Sequence, residues 1–407
     1  MPTMSSARAE FKTDVGQALA AMLAHAAAHS PFYRELAWAK SVRGGATIAL
    51  KNIPVTRKSQ LRDQTERFFC PDVPPSEGRV KTKLTSGSTG EPMAVRVTER
   101  SSRINSLEDE RLCRGWGFEG HASVALVKNP STENLPGTMV ETLHKTGFLR
   151  VLYTADSREA FDLVRKAGAT LLYTRPHMAL GILEHAAEAG VKLPLQLIST
   201  ISEVIPDQLR SMVGELPGCR MVDKYGSEET GIIAVQCSSC GAYHPTERQM
   251  IVEILDEGDR PVRPGKTGRV VVTPLFNRAM PLVRYEIGDY AVVARAPTCI
   301  HASLSLAQIC GRERNLFKMP DGRRIFPGLD PKPFLDLGLR HFRLLQRSLT
   351  DIELQYVPKD PAFELPQERG QELIDKYMVR GFRISCRKLS ELPRARSGKF
   401  LMHESLV

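Results

Sequence analysis

No apolar run in this 407-residue chain is long enough to cross a bilayer, which argues against a membrane span and a membrane partner. The opening Met1-Pro2-Thr3-Met4-Ser5-Ser6-Ala7-Arg8 lacks the apolar core of a secretory signal, so a cytoplasmic location is expected. Aromatic residues make up only 6%, and composition alone therefore gives no sign of an aromatic ligand. Lys and Arg outnumber Asp and Glu by 56 to 46, yet no dense basic run with interleaved aromatics occurs. Nucleic acid is accordingly not an expected partner, whereas the net charge of +10 suits small anions such as ATP or coenzyme A. The eight cysteines are widely spread in a chain without an export signal, a pattern of thiols or a metal site rather than of a disulfide framework. Internal repeats and low-complexity segments are absent as well.

What is present is an alternation of short elements. Val15, Leu19, Met22, Leu23 and Ala26 recur at helical spacing over residues 10–29, and Pro31 ends or bends that helix. Between residues 123 and 200, apolar strands at 123–127, 149–153, 169–173 and 195–198 alternate with helices. Asp156 and Glu159 are placed to cap one helix, which runs to about Lys166, and residues 178–189 form another. Such alternation predicts a mainly parallel sheet with helices packed on it. Ligands settle at the carboxyl ends of strands in such sheets, and Tyr225-Gly226-Ser227-Glu228-Glu229 follows an expected strand at 220–222. Residues 250–255, 269–273 and 290–294 are β-rich with Gly and Pro turns between them, as in a smaller antiparallel unit. After Gly311, strands at 342–345, 352–357 and 382–385 with a helix at 367–379 suffice for a small α+β domain.

The stretch Lys83-Leu84-Thr85-Ser86-Gly87-Ser88-Thr89-Gly90-Glu91-Pro92 carries the first chemistry. Its backbone N–H groups and hydroxyls can fold around phosphate oxygens, and a plain surface turn is the alternative. It is not a Walker A loop, because Glu91-Pro92 stands where Lys-Ser/Thr is required. Three further stretches follow in order: Tyr225-Gly226-Ser227-Glu228-Glu229, Arg284-Tyr285-Glu286-Ile287-Gly288-Asp289 and Pro393-Arg394-Ala395-Arg396-Ser397-Gly398-Lys399. This ordered set resembles the adenylate-forming superfamily of acyl-CoA synthetases and luciferases. Within it the phenylacetate–CoA ligase-like group is most similar, a match that His29-Ser30-Pro31-Phe32-Tyr33-Arg34 and Ile53-Pro54-Val55-Thr56-Arg57-Lys58 extend to the start of the chain.

The resemblance implies an α/β fold: a large N-terminal adenylation domain (residues 1–310) with parallel sheets and a small β-rich subdomain, then a small, mobile α+β C-terminal domain (residues 311–407). It implies ATP-dependent activation of a carboxylic acid, aromatic by analogy, to an acyl-adenylate, then transfer to coenzyme A. Attack on the α-phosphorus builds charge on phosphate oxygens, so the site needs N–H donors, a cation and a divalent metal. Thr85, Ser86, Gly87, Ser88, Thr89 and Gly90 are the implied phosphate loop, and Tyr225, Gly226, Ser227 and Glu228 the adenine motif. Glu229 matches the magnesium-holding glutamate, a hard ligand for a hard ion. Asp289 matches the aspartate that binds both ribose hydroxyls, Arg312 a ribose-contacting arginine, and Lys399 the lysine that reaches the forming adenylate. Tyr173, His177 and Glu203 are expected to line the acid pocket, together with His144, Tyr153 and Arg175.

Two positions depart from the family pattern. Glu228 replaces the usual Thr or Ser, and a carboxylate beside phosphate must turn away, share the magnesium, pair with a cation such as Lys224, or meet an amino group on the substrate, the last being the expectation preferred. Arg314 stands at the hinge, where Asp or Lys is usual. Separately, Cys237-Ser238-Ser239-Cys240 with His244 has the spacing of a zinc knuckle. The resemblance implies a fourth ligand just before Gly311-Arg312, for which Cys299 is preferred to Cys310. Alternatives to a coenzyme A ligase are transfer to a carrier-protein thiol or an amine, and a catalytically silent zinc-containing binding protein. A homodimer is compatible with all of these.

Overall fold

The computed structural model describes residues 4–84, 93–115, 122–130, 135–144, 147–203, 205–295, 304–327, 332–378, 381–393 and 402–407. No helix among the described residues is long and apolar enough to cross a membrane. The chain divides into two compact units, Met1–Gly117 with Lys224–Gly311, and Phe118–Asp223 with Arg312–Val407.

The first unit opens with the helix Met4–His29, which buries Met22, Leu23, Ala26 and Ala27 on one face. Pro31 starts a short helix, Pro31–Arg34, where a missing N–H costs nothing. That turn delivers Phe32 onto Phe68, with ring centroids 4.1 Å apart, and Tyr33 beside Trp38. The Tyr33 hydroxyl accepts from the Val283 N–H at 2.9 Å and lies 3.3 Å from Thr56 Oγ1. Thr56 in turn exchanges backbone hydrogen bonds of 2.9 Å with Arg284 and Glu286, so the segment around it runs parallel to the start of the strand Tyr285–Val293. Strands Met250–Leu255, Thr267–Pro274 and Tyr285–Val293 are successive antiparallel neighbours, the β-rich region expected from the sequence. A hairpin of Val80–Leu84 with Ala94–Thr98 brackets the glycine stretch and leads into the helix Glu99–Gly115.

In the second unit, strands Leu197–Ile201, Leu171–Thr174, Ala122–Lys128 and Gly147–Tyr153 are parallel neighbours in that order. Thr138–His144 pairs antiparallel with Gly147–Tyr153. Helices Ser157–Ala167 and Pro176–Glu188 bury Phe161, Val164, Met178, Ile182 and Leu183 against Ala125, Leu152, Leu172 and Ile198. Asp156 caps the first of these helices, accepting from the Arg158 and Glu159 N–H groups at 2.7 and 3.0 Å, and Gly168 closes it in the left-handed region. Glu159 does not complete a capping box; its carboxylate takes the Thr154 hydroxyl instead. The chain's last hundred residues build a four-stranded sheet: Leu339–Gln346 and Asp351–Pro358 form an antiparallel pair, flanked by Arg383–Lys388 and His403–Ser405 in parallel. Helix Gln367–Tyr377 packs Leu373 and Ile374 into its core.

One strand differs from expectation in a way that matters. The strand expected at 220–222 runs on through Ser227. Tyr225, Gly226 and Ser227 therefore lie within a strand, hydrogen-bonded antiparallel to Gly231–Gln236, and only Glu228, Glu229 and Thr230 form the turn. Gly226 permits this, because a Cβ there would meet the Gly231 carbonyl oxygen at 2.5 Å.

Candidate active site

Three segments converge in the first unit. The first is the end of the Arg220–Ser227 strand, from Lys224 on, with its turn, the second is Tyr285–Val293, and the third is the segment that starts at Thr56. Tyr285–Val293 carries a bulge: Arg269 faces Tyr290 and Val271 faces Glu286, so Val270 alone stands opposite Ile287, Gly288 and Asp289. Gly288 takes a φ of 84°, which favours glycine. Bulges of this kind re-aim side chains, and this one brings Asp289 to Tyr225, whose hydroxyl donates to Asp289 Oδ2 at 2.8 Å. Both side chains are buried. Two motifs 64 residues apart in sequence thus meet in one hydrogen bond.

Glu229 is also buried, and its Oε1 lies 3.3 Å from Lys58 Nζ. The same ammonium donates to the Ile287 carbonyl, inside the bulge, at 3.1 Å. Lys58 was legible only as part of an opening motif; its partner lies 171 residues away, and no local signal marked it as a site residue. The neighbouring Arg57 is pinned by Glu286 at 2.8 Å and Asp259 at 2.9 Å, and both carboxylates also hold Arg269. Arg284 has a φ of 45° and is clamped by Glu253 and by the Ile53 and Lys51 carbonyls. It fixes the start of the Tyr285–Val293 strand against the Lys58 segment.

Glu228 sits differently from Glu229. Its side chain is 62% exposed, and Lys83 Nζ approaches it at 3.8 Å. Lys224 does not serve as its partner; the buried Lys224 ammonium is bound by Asp109 of the helix Glu99–Gly115. Ser227 Oγ lies 3.0 Å from Thr230 Oγ1 within the same turn. Residues 85–90 and Lys399 lie outside the described residues. Arg312 is half-buried and ends the strand Leu306–Arg312, in the second unit.

In the second unit, His177 and Glu203 come together, with Nδ1 to Oε2 at 2.6 Å, while Tyr173 lies on the strand Leu171–Thr174 and is half-buried. Tyr153 and Arg175 are half-buried too, and His144 ends the Thr138–His144 strand.

The three residues of the expected knuckle come together. One donor atom each from Cys237, Cys240 and His244 lies within 4.8 Å of the others, and Cys240 Sγ is 3.3 Å from His244 Nε2. Gly241, at a φ of 74°, turns the chain, and Ser305 Oγ stands 3.3 Å from His244 Nδ1. Two cysteine sulfurs and an imidazole whose far nitrogen lies beside a hydroxyl form a donor set that fits zinc. Cys310 is outside this group; burial, with the Asp289 charge adding to it, pushes its thiol up to about 12. Cys299 lies outside the described residues.

A sequence model of the family described as "AMP-binding enzyme" matches residues 16–274. Phenylacetate-coenzyme A ligase from Thermus thermophilus is 24% identical over 377 residues, spanning 86% of this chain and 81% of its own. The Pseudomonas putida phenylacetate-coenzyme A ligase is 24% identical over 298 residues, spanning 68% of this chain and 64% of its own. Among solved structures, 2-hydroxyisobutyryl-CoA ligase in the postadenylation state, in complex with R3-HIB-AMP, superposes with a TM-score of 0.74. It is 18% identical, with all of this chain and 90% of that one covered.

Proposed function

The chain belongs to the AMP-binding enzyme family, and on that premise we propose that it is an AMP-forming acid–coenzyme A ligase. ATP activates a carboxylic acid to the acyl-adenylate with release of pyrophosphate, and the acyl group then passes to the coenzyme A thiol. The observation that carries this reading is the meeting of Tyr225 with Asp289 beside Glu229 and Lys58, all on one compact unit. An aromatic acid is the first class to test, since two curated relatives are named for phenylacetate.

Asp289 offers two acceptor oxygens to the ribose hydroxyls, and the Tyr225 hydroxyl holds one of those oxygens in place. Glu229 is the carboxylate for magnesium, which supplies charge neutralisation on the phosphates when bound. Lys58 adds a positive charge beside Glu229, where phosphate oxygens carry developing charge. The N–H groups of Gly87 and Gly90 and the hydroxyls of Thr85, Ser86, Ser88 and Thr89 supply further donors in this reading, and Lys399 reaches the adenylate oxygens from a small domain formed by residues 311–407. Glu228 belongs to the rim of the phosphate site, where Lys83 offsets its charge. Cys237, Cys240 and His244, with Cys299 as fourth ligand, hold a structural zinc that takes no part in the reaction.

Lys399→Ala tests the scheme. Adenylate formation, read by ATP–pyrophosphate exchange, should fall by a factor on the order of 100 or more, as for loss of a charge-stabilising donor. Conversion of a supplied acyl-adenylate to acyl-CoA should persist. Equal loss in both half-reactions would refute the assignment.

A further inference from the structure

His177 and Glu203 leave the carboxyl ends of two adjacent parallel strands. Leu171–Thr174 is followed by Arg175 and the helix Pro176–Glu188, with His177 in its first turn. Leu197–Ile201 is followed by Ser202 and then Glu203. Ser202 has a φ of 79°, a conformation that costs a non-glycine residue free energy and that turns the chain sharply just before the glutamate. Strain of this sort persists only where the surrounding structure holds it. Carboxyl ends of neighbouring parallel strands are where open α/β sheets present ligands.

The pair is asymmetric. Glu203 keeps only 3% of its side chain exposed, against 20% for His177. Its Oε2 takes the His177 Nδ1 at 2.6 Å, and its Oε1 is buried with no hydrogen-bond partner among the described residues. Ser199, on the strand that leads to Glu203, also buries a hydroxyl with no partner among the described residues, and it stands in register with Tyr173. A buried carboxylate oxygen left without a donor forfeits its solvation with nothing in return. Such a cost, next to a partly open imidazole, marks a site built for something beyond packing.

A carboxylate that accepts from Nδ1–H fixes the tautomer of the neutral ring, so Nε2 presents a lone pair. His177 Nε2 makes no hydrogen bond among the described residues. It is therefore an oriented acceptor, backed by negative charge, and an acceptor reads a donor.

We propose that the Glu203-oriented His177 is a specificity-determining residue that selects carboxylic acids carrying a hydrogen-bond donor, a hydroxyl or an amino group, besides the carboxylate to be activated. The proposal rests on the adenylation reading above and deepens it by naming the substrate class. It moves the recognition of a polar substituent away from Glu228, whose side chain is mostly exposed and sits beside Lys83. A site with a dedicated acceptor rejects the analogue that lacks the donor, because the acceptor is then buried unpaired.

The test is ATP–pyrophosphate exchange with matched acids that differ by one group: isobutyrate and 2-hydroxyisobutyrate, phenylacetate and mandelate, benzoate with 2-hydroxybenzoate and 2-aminobenzoate. The wild-type enzyme should favour the donor-bearing member of at least one pair about tenfold or more in kcat/KM. The hydroxy and amino arms of the benzoate set identify which donor is read. His177→Phe, which keeps a flat ring but removes the acceptor, should bring that ratio to about one. Glu203→Gln, which no longer fixes the tautomer, should lower it part of the way. Equal rates within every pair, or a ratio that survives His177→Phe, overturns the proposal. No exchange with any acid overturns the adenylation reading and this proposal with it. Should His177→Phe fail to fold, Glu203→Gln decides, and a ratio unchanged in that variant overturns the proposal.

Discussion

Tyr225→Phe isolates the hydrogen bond on which the proposed nucleotide site is built. The substitution keeps the ring and removes one hydroxyl, 2.8 Å from Asp289 Oδ2. Both residues are buried, so water cannot freely replace the lost donor. A hydrogen bond to an ionised group contributes about 1.5–3 kcal/mol. The variant should accordingly unfold with a stability lower by about 1.5–3 kcal/mol, read from urea midpoints at constant slope. Nucleotide binding should weaken as well. If loosening Asp289 costs the bound state half of that amount, about 1.5 kcal/mol at the upper end, AMP affinity falls roughly tenfold. Isothermal titration with AMP measures this directly. A double-mutant cycle with Asp289→Asn separates the pair from the rest of the site, and a coupling above about 0.5 kcal/mol is expected for residues in contact. A stability change under about 0.5 kcal/mol together with additive single and double variants would refute the idea that the tyrosine holds the aspartate.

Removing zinc with a chelator, or substituting Cys237→Ser, should abolish bound zinc by elemental analysis and lower the melting temperature before it lowers activity; wild-type zinc content in that variant would count against the Cys237, Cys240 and His244 set. Lys58→Met should raise the apparent KM for ATP about tenfold, consistent with loss of one cation at the phosphates, and an unchanged KM would show that Lys58 only neutralises Glu229. Burial holds the His403 imidazole down to about 3, below the value near 6.5 of an unfolded histidine. The unfolded chain takes the proton first, so this contribution to stability is complete above about pH 6.5 and is lost as pH falls toward 3. Between pH 7.5 and 5 the wild type should lose about 2 kcal/mol more than His403→Leu does, and parallel urea curves at both pH values would contradict that.

The parallel strands and helices between residues 122 and 201 were legible because each buries a continuous apolar stretch. The helix Glu99–Gly115 was not legible. Its sequence is largely charged and polar, and what fixes it includes ion pairing of Glu108 with Arg111 and the Asp109–Lys224 contact, whose partner is remote in sequence. Thr138–His144 escaped notice because it is an edge strand with Met139 and Val140 exposed, so burial never imposed a clear alternation. In the site, the motif order pointed to Tyr225, Glu229 and Asp289, but the bulge that aims Asp289 depends on register with Thr267–Pro274, which no single stretch encodes. His177 and Glu203 were read as separate pocket residues. Their 2.6 Å contact follows from strand adjacency and the turn at Ser202, neither of which is written locally.

The threading of Lys58 against Ile287 also sets a schedule for the newborn chain. Those residues are 229 positions apart, and at roughly 5–20 residues per second the interval between them on the ribosome is about 10–45 s. For most of that interval the aromatic surface of Phe32, Tyr33, Trp38 and Phe68 has been made, while Val283, which closes over Tyr33, has not. The intervening segment Phe118–Asp223 belongs to the other compact unit. The N-terminal stretch thus waits long for its partner, with its aromatic surface open to chaperones during synthesis. Codon changes that slow translation between residues 224 and 284 should lower soluble yield without altering the purified enzyme.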